Sequence, residues 1–195
     1  KVFAVLASNR EDLREKTGTM LGHLSVKPRE NFDQDDIFYF PVSDTTSKIA
    51  LLFPGQGSQE VNMMAENILR FPFLQKVLDD FDTTLAEGGY PRISQFLYPI
   101  PVFDDKQKAT QEAELTRTDR AQLSLGFANL AMFETLLRLG LRPDCFAGHS
   151  YGEIVALHAA GVLSFKDFVH LSWRRGEAMF ECSRDGKGTM AAAIA

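Results

Sequence analysis

The sequence predicts an α/β fold with a parallel sheet, preceded by a small α+β module, and three observations carry that prediction. Ile49-Ala50-Leu51-Leu52-Phe53 is an unbroken apolar run, the pattern of a strand buried on both faces. Cys145-Phe146-Ala147 is a second short strand, with helical periodicity over Asp119 to Leu139 between the two, which is the strand-helix succession of such folds. The stretch Gly148-His149-Ser150-Tyr151-Gly152-Glu153 then reads as a strand end running through a sharp turn into a helix.

Taken in order, residues 2–7 are apolar and β-prone, and Ser8-x-x-Glu11 supplies a capping box for a helix through about Leu24. A polar stretch from Ser25 to Asp36 separates it from a second β-prone run, Ile37 to Val42. Residues 1–47 therefore read as a strand-helix-strand linker module, with the turn-rich Ser43 to Lys48 as the boundary of a main domain over 48–188. Pro72 stands where a helix begins, and Phe73, Leu74, Val77, Leu78, Phe81 and Leu85 follow at helical spacing until Gly88-Gly89. Tyr90 to Thr118 reads as irregular surface structure with one short helix near Ile93 to Leu97. The helix over Asp119 to Leu139 is apolar around most of its circumference and so is largely buried. After the elbow, Gly152 to Ala160 is a small, apolar and central helix ending at Gly161. Ser164-x-x-Asp167 caps a last helix to about Cys182.

Composition narrows the function. The chain has 195 residues, 45% of them apolar, enough to bury a real core, and its formal net charge of -5 argues against a nucleic-acid binder. Its two cysteines, Cys145 and Cys182, fit neither a disulfide framework nor a metal site, which points to a reduced cytoplasmic setting. Apolar runs such as Ile49 to Phe53 and Ala159 to Leu163 are too short to span a bilayer, so no membrane role is expected. The chain begins at Lys1, which we read as the start of a piece of a longer polypeptide.

Four features carry chemistry. The Gly-x-Ser-x-Gly elbow marks the sheet as hydrolase-like, with Ser150 exposed as a nucleophile and the first N–H groups of the following helix placed to stabilise an oxyanion. Pro54-Gly55-Gln56-Gly57-Ser58-Gln59 ends the first buried strand, where backbone N–H groups meet ligands in open α/β sheets; it lacks the spacing and lysine of a phosphate loop, and a turn without a role is the alternative. Gln122 is an amide in a buried helix, either bridging loops or lining the site. In the last helix Asp167, His170, Arg174, Glu177 and Glu181 form a polar stripe, whereas Arg175 shares an inward stripe with Phe168, Leu171 and Met179. An inward guanidinium needs either a structural carboxylate partner or the carboxylate of a substrate.

Together these residues resemble the acyltransferase domain of fatty acid and polyketide synthases, the malonyl-CoA:acyl carrier protein transacylase family. Phe53-Pro54-Gly55-Gln56-Gly57-Ser58-Gln59 resembles its FPGQGSQ motif, and Gly148-His149-Ser150-Tyr151-Gly152-Glu153 its GHSxGE nucleophile motif. The likeness covers roughly Lys48 to Ala195, and residues 1–47 resemble the linker that precedes this domain in multidomain synthases. The acidic insertion and Thr118-Asp119-Arg120-Ala121-Gln122 are similar to iterative synthases of the polyunsaturated fatty acid or enediyne kind.

The resemblance implies that Ser150 is the catalytic nucleophile, that the backbone N–H groups of Gln56 and Tyr151 form the oxyanion hole, and that Arg175 and Gln122 bind substrate. It implies malonyl-CoA as donor, the phosphopantetheine of an acyl carrier protein as acceptor, and no metal or bound cofactor in the domain. Neighbouring domains such as a ketosynthase are the implied partners. The family's catalytic histidine follows a small ferredoxin-like subdomain, whose first strand residues 189–195 resemble; His23, His149, His158 and His170 are not expected to act as the base, and the piece alone is expected to be nearly inactive. Two rivals are an α/β-hydrolase, which shares the elbow without FPGQGSQ or the inward Arg175, and an inactive domain that docks a carrier protein or braces a synthase.

Overall fold

The computed structural model describes residues 2–41 and 48–184, which fall into two units, Lys1–Ser47 and Lys48–Ala195. In the first, β1 (Val2–Val5) is followed by α1 (Arg10–Val26), β2 (Phe32–Gln34) and β3 (Ile37–Phe40). All pairing is antiparallel, in the order β1-β3-β2. The extra strand β2 was hidden in the polar stretch, because three residues are too few to show alternation. Asp35 and Asp36, at φ 51° and 61°, join β2 to β3 as a two-residue hairpin turn of the kind that needs positive φ at both positions. The cap also differs by one residue: Asn9 Oδ1 accepts from the N–H groups of Glu11 and Asp12 at 2.9 and 3.0 Å. Ser8 N–H in turn donates to Asp12 at 2.8 Å, which with Lys16 holds that carboxyl below its usual pKa. Met20 on α1 closes over Ile37 and Tyr39 on β3 to form the small core.

The second unit opens with β4 (Ala50–Phe53), then α2 (Ala65–Arg70), α3 (Pro72–Glu87), α4 (Ser94–Leu97), α5 (Asp105–Thr116) and α6 (Thr118–Arg138). It continues with β5 (Cys145–Gly148), α7 (Gly152–Ala159) and α8 (Phe165–Arg184). β4 and β5 pair in parallel, with Phe53 opposite Gly148, so both strands end at the same level. One face of this pair packs through Phe53 and Phe146 onto Phe133 of α6, ring centroids 6.0 and 5.6 Å apart. The other face is open among the described residues: Leu52 is 75% exposed, where the apolar run had suggested burial on both sides. Composition records that a residue is apolar, and which element covers it is decided elsewhere in the chain.

Helices α3, α4, α6 and α7 match the periodicity that predicts them, Pro72 opening α3 and Gly140 (φ 93°) following α6. α2 and α5 were not legible. α5 is built from Lys, Gln, Ala and Glu and buries Leu115, so it has helix propensity but no apolar stripe to reveal it. The cap of α8 is the expected one, with Asp167 N–H donating to Ser164 Oγ at 3.1 Å and that hydroxyl donating to the Asp167 carboxylate at 2.6 Å. The strand expected over 189–195 lies outside the described residues.

The core of this unit centres on Phe81, whose ring meets Phe127, Phe165 and Phe168 edge-on at 5.9, 5.3 and 5.8 Å. It is fully buried, so α3, α6 and α8 are locked together by one side chain. Phe81→Ala should therefore destabilise this unit by about 3–5 kcal/mol, measured by urea unfolding followed by tryptophan fluorescence.

Candidate active site

The site grows from the meeting of β4 and β5 at their carboxyl ends. His149 N–H donates to the Phe53 carbonyl at 3.0 Å, which carries the pairing one step into the turn. The chain then reverses so tightly that a Cβ on Gly148 would lie 2.1 Å from the carbonyl carbon of Gly152. One on Gly152 would lie 2.1 Å from the Phe53 carbonyl oxygen, so both motif glycines are sterically required. Gly55 is the counterpart on the other loop, since a Cβ there would come within 2.8 Å of the His149 carbonyl oxygen. The Pro54 to Gln59 loop and the elbow are thus one packed object.

Ser150 sits at the apex with φ 54°, a left-handed conformation that costs a non-glycine residue on the order of 1–2 kcal/mol. The carbonyls of His149 and Ser150 accept from Gly152 and Glu153 N–H at 2.9 and 3.1 Å, starting α7. The N–H groups of Gln56 and Tyr151 engage no acceptor among the described residues. The Gln56 side chain reaches Thr118 Oγ1 at 3.5 Å, tying the first loop to the start of α6.

α6 and α8 cross closely because Gly176 has no side chain; a Cβ there would lie 2.8 Å from Asp119 Cα. This crossing brings Gln122 and Arg175 together. Arg175 Nη1 donates to Gln122 Oε1 at 2.8 Å, and Nη2 lies 3.4 Å from Ser150 Oγ. The Gln122 amide nitrogen faces the sulfur of Met179 at 3.3 Å, and the amide is fully buried. No carboxylate pairs with Arg175 among the described residues, although the neighbouring Arg174 pairs with Glu177.

The inward stripe of α8 is not the one the spacing suggested. Leu171 and Met179 are about two-fifths exposed, and the buried face is Phe168, Val169, Ser172, Trp173 and Gly176. The close crossing centres the contact on Gly176, which leaves Arg175 half-buried on the flank facing Ser150. Sequence reasoning also passed over Ser172 and Gly126, which touch the Tyr151 hydroxyl from α8 and α6; a serine and a glycine inside helical patterns were the available signals.

Three of the four histidines pack against other groups. His158 Nδ1 is 2.9 Å from the Leu163 carbonyl and its ring stacks on Phe168, while His170 lies edge-on to Tyr90. His23 belongs to the first unit, packed on Phe32, and none of the four is hydrogen-bonded to Ser150 among the described residues. Cys145 and Cys182 are exposed and unbridged, and among the described residues no three His, Cys, Asp or Glu side chains gather as a metal site.

A parallel sheet, a strained serine elbow and a glycine-bearing loop packed on it define an α/β subdomain of the nucleophile-elbow class. The model of the acyl transferase domain matches residues 50–194, and the chain belongs to that family. The malonyl CoA-acyl carrier protein transacylase of Bacillus subtilis is 40% identical over 148 residues, 76% of this chain and 42% of that protein. The chain thus spans less than half the length of this curated relative. Among solved structures, a malonyl-transacylase in complex with its type II polyketide acyl-carrier protein matches with 32% identity and TM-score 0.57, covering 69% of this chain and 40% of that one. The acyltransferase domain from the second module of the salinomycin polyketide synthase matches with 26% identity and TM-score 0.73, covering 92% of this chain and 37% of that one.

Because the elbow holds Ser150 in a left-handed conformation, Ser150→Gly should raise stability by about 0.5–1 kcal/mol, as checked by urea unfolding of the variant beside wild type.

Proposed function

We propose that the protein is an acyltransferase that moves a malonyl or related carboxyacyl group from coenzyme A, through an acyl-Ser150 intermediate, to the phosphopantetheine thiol of an acyl carrier protein. The observation that carries this reading is the half-buried Arg175 guanidinium, bonded to the neutral Gln122 amide rather than to a carboxylate and aimed at Ser150. A planar, permanently charged fork in that position is matched to a free carboxylate on the acyl group.

Ser150 Oγ attacks the thioester carbonyl and gives its proton to a general base, a role the resemblance assigns to a histidine and which none of the four present is placed to fill. The tetrahedral oxyanion is held by the N–H groups of Gln56 and Tyr151, which engage no acceptor among the described residues. It collapses with loss of coenzyme A as the thiol, and the carrier thiol reverses the sequence. The chemistry needs no metal and no resident cofactor. The agreement of the salinomycin synthase domain over 92% of the chain supports a place inside a multidomain synthase, with residues 1–47 as the linker. The carrier-bound transacylase supports an acyl carrier protein as partner.

Brief exposure of the full-length polypeptide to malonyl-CoA should add a malonyl mass to wild type and none to Ser150→Ala, read by intact-mass spectrometry. No adduct on folded wild type favours a docking or scaffold role. Arg175→Ala should slow malonyl loading by about 10²-fold and leave acetyl loading unchanged, and equal rates with both acyl groups would remove Arg175 from selection.

A further inference from the structure

The acyl-transfer scheme uses only the backbone of Tyr151, yet its side chain is the largest fully buried one among the described residues. The ring runs from the elbow to α8, where its hydroxyl shares a 2.8 Å hydrogen bond with the equally buried Ser172. On α6, a Cβ at Gly126 would lie 2.2 Å from the same hydroxyl oxygen. A side chain at position 126 and the tyrosine in this pose are mutually exclusive. The elbow, α6 and α8 are therefore cut to admit one phenol and to satisfy its hydroxyl in a dry interior, where an unpaired hydroxyl would be costly.

The place of this bond in the chain gives it more than a packing role. Tyr151 follows the nucleophile, and Ser172 precedes Arg175 by three residues, close to one helical turn. The elbow thus meets α8 at two successive rungs: Tyr151 with Ser172, short, neutral and buried, and Ser150 with Arg175, longer at 3.4 Å and partly open to solvent. The first rung ties α8 to the elbow about one turn from the guanidinium, within the helix crossing that Gly176 permits. Gln122, which meets Arg175 and Met179 of α8 from α6, orients the fork.

We propose that Tyr151 and Ser172 form a brace that sets the reach of Arg175 to the acyl group on Ser150, making them positioning residues for carboxyacyl selection, with Gly126 as the notch that admits the brace. The inference rests on the acyl-transfer reading above.

The test compares initial rates of Ser150 acylation by malonyl-CoA and acetyl-CoA in the full-length polypeptide, for wild type, Tyr151→Phe, Ser172→Ala and the double variant. Ser172→Ala should lose about tenfold of the malonyl rate with the acetyl rate held within about twofold, Tyr151→Phe should lower the malonyl-to-acetyl ratio as far, and the double should lower it no further than either, since all three remove one bond. An unchanged malonyl-to-acetyl ratio, or equal loss with both donors, overturns the brace and leaves a packing role. Wild type acylated by neither donor overturns the acyl-transfer reading and this inference with it. Gly126→Ala should lower the Tm, and adding Tyr151→Phe should recover part of that loss, because the atom nearest the new methyl is the hydroxyl oxygen. Failure to recover overturns the notch.

Discussion

The structure depends on the approach of three backbone segments to within van der Waals contact at the ends of β4 and β5. Gly148, Gly152 and Gly55 each occupy a place where a single methyl group would overlap a carbonyl of a neighbouring segment. Without that approach the elbow could not turn, Ser150 would not be lifted into its left-handed pose, and the Gln56 loop would not lie against the serine. The strain at Ser150 is local and modest, and it is sustained by the packed sheet end and by α7, whose central residues are buried.

A second close approach shapes the flank that faces Ser150. Gly176 lets α8 pass over Asp119 at the start of α6, and this one crossing places Gln122 beside Arg175 and both beside Ser150. The start of α6 is held by its own charges. Arg117 pairs with Asp119, Arg120 pairs with Glu114 at the end of α5, and Arg117 also lies over the ring of Phe180 on α8, 4.3 Å from its centroid. The polar end of the site and the aromatic core around Phe81 are thus two ends of the same helix pair. The Gln122 amide and, at 3.4 Å, the Ser150 hydroxyl are the polar neighbours of the guanidinium among the described residues, and neither carries a charge to oppose it.

The elbow and the glycine loop were legible because both are local: a glycine on each side of the serine, and an apolar run ending abruptly in Pro54-Gly55, are patterns a few residues long. The long helices were legible for the same reason, since α3 and α6 repeat their apolar positions over several turns. β2 escaped notice because it is short, and α5 because its contribution to the core is Leu115. The stripe assigned to α8 was displaced by one residue, because periodicity identifies an apolar face only to within the width of a side chain. The identity of the residue at the crossing decided which flank turned inward.

By itself the sequence determined the serine elbow, the loop that faces it, the family and the alternation of strands and helices, all of which rest on patterns among near neighbours. Only the tertiary structure decided that Gln122 bonds to Arg175 across 53 residues, that Arg175 lies on the flank rather than in the core, and that Tyr151 spans to Ser172 against Gly126. Those outcomes depend on how closely two helices cross and at what rotation. That geometry is set by summed packing over whole helix faces, and no local pattern encodes it.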